Sequence, residues 1–86
     1  MKEFERPLKA LANRRRLAIL KYLKHEKEAS VGDIAAAIRL SLKATSKHLG
    51  ILAAADIVER DQRSLQMFYR LSNSLSAVAS RIVSLL

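Results

Sequence analysis

The sequence predicts a mainly α-helical single domain that carries one small β-hairpin. Three observations predict it. Apolar residues recur at helical spacing along most of the chain. Punctuation is sparse, with two glycines and one proline in 86 residues. After Asp56 the apolar period switches from about 3.6 to 2 for one short stretch and then switches back. A hydrophobic share of 50% against 28% charged residues is enough to build a core and is unlike a disordered chain.

Each element has its own signal. Phe4, Leu8, Leu11 and Ala12 predict a first helix over residues 4–12, with Pro7 in its first turn, where a missing N–H costs nothing. Asn13 then reads as the N-cap of a helix over 14–24, whose apolar side is Leu17, Ile19, Leu20 and Leu23. Arg14, Arg15 and Arg16 crowd its first turn against the helix dipole; a bound phosphate would offset them, but a solvated basic face is the simpler account. Residues 24–28 read as a polar loop. Ser30 caps a third helix with Asp33 in the role of a shortened capping box, and Ile34, Ala35 and Ile38 form its inner face up to about Arg39. Leu40 fills the turn and Ser41 caps a fourth helix. There Thr45, Leu49 and Leu52 line one face, with Lys43, Ala44, Ser46, Lys47 and Gly50 outside it. A mid-helix glycine costs about 1 kcal/mol relative to alanine, which a close approach at Gly50 would explain. Ile57–Arg60 and Met67–Leu71 alternate as two strands, and the connection 61–66 lacks Asn-Gly or Asp-Gly, so a looser turn than a two-residue one is expected. Ser72 or Asn73 caps a last helix on which Leu75, Val78, Ala79, Ile82, Leu85 and Leu86 keep the helical period.

Inventory excludes several chemistries. There is no cysteine, so disulfides, thiolate metal sites and cysteine nucleophiles are out, and two histidines cannot make a multi-histidine zinc site. No Gly-rich phosphate loop, Ser-His-Asp set or acid pair in an apolar setting appears, so neither an enzyme nor a cofactor or metal site is expected. No apolar run reaches the roughly 20 residues of a membrane span. Charges occupy the N-terminus where a signal peptide needs its apolar stretch, so a cytoplasmic protein is expected. Four aromatic residues are too few for a single-strand stacking surface.

Charge supplies the positive clue. Sixteen Lys and Arg against eight Asp and Glu leave a net charge of +8. Such an excess favours a polyanionic partner, nucleic acid ahead of an anionic membrane, although solubility alone asks for a net charge of about 2–8. The short connection between the third and fourth helices makes a helix-turn-helix, whose second helix fits a major groove about 12 Å wide. The outer, N-terminal part of that helix combines short and basic residues: Ser41, Leu42, Lys43, Ala44, Ser46, Lys47 and His48 are the candidate contacts to double-stranded DNA. Arg60 and Arg63 of the hairpin are placed to reach the backbone or the adjacent minor groove. His48 reads equally well as a half-buried ring satisfied by backbone and as the phosphate or base contact that the family resemblance described next implies.

These residues resemble a known family. Ala10-Leu11-Ala12-Asn13, Arg16-Leu17 and Ile19-Leu20 are similar to the opening of the arsenic-repressor (ArsR) type of winged helix-turn-helix regulator. Glu28 to Ala35 resembles the family's entry into its third helix, Leu40-Ser41 through Leu49 and Leu52 its recognition helix, and Tyr69-Arg70-Leu71 the end of its wing. The resemblance runs from Leu8 to Leu71 in order and register. It implies a homodimeric, sequence-specific DNA-binding repressor of a palindromic operator, a single domain over residues 1–86. Within it 31–54 is the helix-turn-helix, 57–71 the wing, and 1–12 and 72–86 the dimerisation helices. The implied dimer residues are Phe4, Leu8, Leu11, Leu75, Val78, Ala79, Ile82 and Leu86. Independently, a last helix this apolar on so small a domain favours association.

Departures from the pattern limit what carries over. Ser30 and Gly32 stand where many members have metal-binding cysteines, and the last helix lacks acidic and histidine ligands, so metal control is not expected and any effector is unknown. Arg39, Asp56 and Ser64 stand where the family favours glycine, and Arg14 replaces a common proline. Two further readings compete: a non-specific architectural DNA-binding protein, and a winged-helix module for protein–protein assembly.

Overall fold

The computed structural model describes residues 1–86. Its order is α1 (Lys2–Leu11), α2 (Arg14–Glu26), β1 (Glu28–Ser30), α3 (Val31–Ile38), α4 (Leu42–Ala54), β2 (Val58–Arg63), β3 (Gln66–Leu71) and α5 (Ala77–Leu85). The helical framework and the hairpin follow the expected order. A single core collects Leu11 from α1, Ile19, Leu20 and Leu23 from α2, Ile34 from α3, Leu49 and Leu52 from α4, Ile57, Val58 and Tyr69 from the sheet side, and Ala79 and Val83 from α5.

Caps explain where the helices begin. Asn13 accepts from the backbone N–H of Arg15 and Arg16, Ser30 from Asp33, Ser41 from Ala44 and Ser76 from Ala79. Two helices end alike. Leu40 N donates to Ala35 O and Arg39 N to Ala36 O after α3; Ile57 N donates to Leu52 O and Asp56 N to Ala53 O after α4. Both are Schellman closures, which need a left-handed residue, and Arg39 (φ 57°) and Asp56 (φ 60°) supply it. Ser64 also has positive φ, at 56°. Three of the positions where the family favours glycine thus keep the backbone that glycine would adopt, with a side chain added.

Four expectations are corrected. Pro7 lies inside α1 rather than in its first turn, because the helix starts at Lys2 with Glu3 and Glu5 complementing its dipole. Residue 28 is not loop: Glu28–Ser30 is a strand that pairs antiparallel with β3, Ala29 opposite Tyr69, making a three-stranded sheet of order β1-β3-β2. The hairpin turn is tight, since Arg63 pairs with Gln66 and leaves only Ser64 and Leu65 between the strands. The last helix starts at Ala77, not after Ser72 or Asn73. In the segment before it, Asn73 N donates to Glu59 Oε2 at 3.1 Å and Ser74 N to Ser72 Oγ at 3.0 Å, so side chains satisfy the backbone without a helix. Leu75 therefore lies outside α5, though it still packs on the core.

Candidate nucleic-acid interface

Helices α3 and α4 are joined through Arg39, Leu40 and Ser41, which gives the helix-turn-helix its short corner. Along α4 the two sides differ sharply. Thr45, Leu49 and Leu52 are fully buried, whereas Leu42, Lys43, Ser46, Lys47, Gly50 and Ile51 form one continuous exposed stripe. Ala44 and His48 lie half-buried along its border. Ser41 is exposed and spends its hydroxyl as the N-cap acceptor for Ala44 N at 3.1 Å. The stripe thus presents two ammonium groups among short side chains, with Leu42 58% exposed at its start.

The two hairpin arginines are not equivalent. Strand alternation puts Arg60 and Arg63 on opposite faces of the wing. Arg63 is held within the wing: it donates from Nη1 and Nη2 to both Glu28 carboxylate oxygens at 2.8 and 2.6 Å and from Nε to Asp61 at 3.0 Å. Its guanidinium also lies 4.7 Å from the Phe68 ring centroid. Arg70 continues the network, reaching Glu28 at 3.7 Å and Glu59 at 3.3 Å. Arg60 takes no part in this network and is exposed at the wing edge.

Arg16 is the residue whose structural position sequence reasoning missed by grouping it with its two neighbours. Arg14 and Arg15 are exposed, but Arg16 is half-buried. It donates from Nε to Ala10 O at 2.5 Å and from Nη2 to Lys9 O at 3.3 Å, and its Nη1 lies 3.2 Å from His48 Nδ1. With Ala12 N on Leu8 O and Asn13 N on Leu11 O, the last four carbonyls of α1 are all satisfied. His48 titrates below the ordinary histidine range, first because it is withdrawn from water and then because Arg16, Arg15 and Lys47 repel a second positive charge. The imidazole is accordingly neutral at pH 7.

Of the residues expected at a dimer interface, Phe4 and Leu8 are exposed at 41% and 47%, and Leu75, Val78, Ile82 and Leu86 are half-buried against the core. Leu11 and Ala79, at 4% and 1%, are already enclosed by their own chain. Leu85 adds a 77% exposed side chain at the end of α5. No group of His, Asp and Glu side chains is arranged to hold a metal ion, and no helix is long and apolar enough to cross a membrane.

Residues 11–61, from the end of α1 into β2, match the helix-turn-helix domain family. The fold matches the solution structure of the homodimeric winged helix-turn-helix DNA-binding domain of a possible ArsR-family regulator from Mycobacterium bovis. That match has a TM-score of 0.83 and 32% identity, and covers 98% of this chain and 75% of that one. The chain belongs to the ArsR-type winged helix-turn-helix family. This is a family of DNA-binding transcription regulators, not of enzymes. The transcriptional activator HlyU of Vibrio cholerae is 40% identical over 67 residues, which make up 78% of this chain and 61% of HlyU. The chain therefore spans less than two thirds of the length of that curated relative. The structure of reduced HlyU superimposes with a TM-score of 0.84 at 35% identity, covering 99% of this chain and 85% of that one. The transcriptional repressor PagR of Bacillus anthracis matches with a TM-score of 0.81 at 25% identity, over 99% of this chain and 94% of PagR.

Proposed function

We propose that this ArsR-type chain is a homodimeric repressor that reads a palindromic operator without metal control. The exposed stripe of α4 carries the reading. Its inner face is committed to the core, and the surface its N-terminal half offers to a partner is Leu42, Lys43, Ser46 and Lys47, bordered by Ala44 and His48. In a major groove the short residues allow close approach, and the lysines reach guanine or phosphate. Arg60 at the wing edge reaches the neighbouring backbone. Arg63, committed to Glu28 and Asp61, supports the wing instead. The operator's occupation by the dimer then excludes polymerase.

Association is favoured by surface area, and the exposed Phe4, Leu8 and Leu85 support α1 and α5 as its site. The chain exposes 5719 Å², and its long axis of 38 Å is well beyond the other two of 23 and 21 Å. A monomer of this mass is expected to expose only about 5,100 Å². The excess is of the order of the ~800 Å² that one partner buries in a standard interface. Two recognition helices related by a two-fold then meet half-sites about 34–36 Å apart.

Selection from random duplex DNA tests this directly. An imperfect palindrome is the expected product; uniform recovery supports a non-specific architectural binder, and no recovery at low salt supports a protein-assembly module. Lys43→Ala is expected to weaken operator binding by about 1–3 kcal/mol as a base contact. Unchanged affinity and footprint in a gel-shift titration would remove Lys43 from the reading surface.

A further inference from the structure

We propose that Arg16 is a positioning residue for DNA recognition: it holds His48 with Nδ1 as a hydrogen-bond acceptor, so that the ring's single N–H, on Nε2, is the donor α4 offers to a backbone phosphate. The phosphate contact rests on the operator-reading role of α4; the ring's tautomer does not.

Donor and acceptor chemistry carries the first step. A guanidinium has five N–H donors, no acceptor, and does not lose its proton in a protein. At 3.2 Å from Arg16 Nη1, His48 Nδ1 must therefore be the acceptor and carry no hydrogen. The ring is neutral, so its one hydrogen is on Nε2. The edge bearing Nε2 is the one that Arg16 leaves uncovered, on a residue that borders the exposed stripe.

Rigidity carries the second step. Arg16 does not reach for His48 from solvent. Two of its other donors are fixed on Ala10 O and Lys9 O at the end of α1. One guanidinium thus joins the last turn of α1, the first turn of α2 and the middle of α4. An imidazole without such a partner is free to exchange tautomers and to turn about its χ2 torsion. Held this way, it is preorganised for one acceptor in one place.

The contact has a signature that separates it from those of the lysines. A neutral donor displaces no counterion, so its loss lowers affinity by the same factor at every salt concentration. Loss of Lys43 or Lys47 from a phosphate also makes the salt dependence shallower.

The test uses the full chain. Ring ¹⁵N spectra at neutral pH are expected to show His48 Nδ1 as a hydrogen-bonded, unprotonated nitrogen. In Arg16→Met that signature is lost and the ring titrates closer to ordinary histidine. On the selected operator, His48→Ala and Arg16→Met are each expected to weaken binding about tenfold, the low end for a hydrogen bond to a charged group, with the salt slope unchanged. The double variant loses no more than either single one. His48→Gln retains most of the affinity, because its amide accepts from Arg16 through Oε1 and donates through Nε2. Hydrogen on Nδ1 in the unsubstituted protein overturns the proposal, as does a double variant whose losses multiply, or a shallower salt slope in His48→Ala. Should Arg16→Met not fold, the spectrum of the unsubstituted protein and the contrast between His48→Ala and His48→Gln still decide. A protein with the expected ring spectrum that binds no duplex defeats the operator-reading role and the phosphate contact, and leaves the tautomer standing.

Discussion

Gly50 sits on the exposed side of α4, where an added Cβ would meet nothing within 4 Å. The close approach anticipated for it is therefore not made within its own chain. Gly50→Ala is expected to stabilise the fold by about 0.5–1 kcal/mol in urea denaturation; a simultaneous loss of operator affinity would show that DNA uses the missing side chain's space. Thr45 is the opposite case, a fully buried residue whose Oγ1 has no hydrogen-bond partner. Thr45→Val keeps the shape and removes the stranded hydroxyl, so a gain of about 1 kcal/mol is expected in the same assay. His48 makes stability depend on pH. Its folded pKa lies below that of the unfolded chain, about 6.5, so the native state binds fewer protons there. Its contribution is complete above that value and is lost as pH falls through the folded pKa; His48→Gln should flatten that part of a stability profile. Caps such as Ser30 and Ser41 were legible because a hydroxyl before an apolar run has one evident use. The special place of Arg16 was not, since its partners Ala10 and His48 come from two other helices.

Among the elements, the wing departs most from what local sequence suggests. Helices α2, α3 and α4 have long apolar stripes and side-chain caps, and their signals are strong. Strand β1 has three residues, too few for a period to declare itself, and its partner β3 lies far along the chain. The tight turn at Ser64 and Leu65 was hidden because its stabilisation is not in the turn residues. It comes from Arg63, which stacks near Phe68 and binds Glu28 on the neighbouring strand and Asp61 on its own. These groups are one-third to one-half exposed, which limits each pair to about 0.2–1 kcal/mol. Glu28→Ala removes the shared acceptor of Arg63 and Arg70, so a loss of about 1 kcal/mol is expected. Hydrogen exchange should quicken in β1 and the wing before it does in α2.

For the molecule as a whole, the apolar content of the terminal segments was readable, but how it divides between core and surface was not. Periodicity alone cannot say that Leu11 and Ala79 close the chain's own interior while Phe4, Leu8 and Leu85 stay uncovered. Packing α1 on α5 makes that choice. Leu8→Glu is expected to leave the fold intact, halve the mass seen in sedimentation and weaken operator binding, because each half-site then binds alone. An unchanged mass would place the contact between copies elsewhere. One further consequence follows from β1, which runs without a break into α3 while its other edge is laced to β3. Hairpin and helix pair are thereby cast as one piece within a protomer. In the proposed complex each half-site is gauged by a template of constant width, and natural operators are free to vary in the base sequence of the spacer between halves but not in the offset inside them.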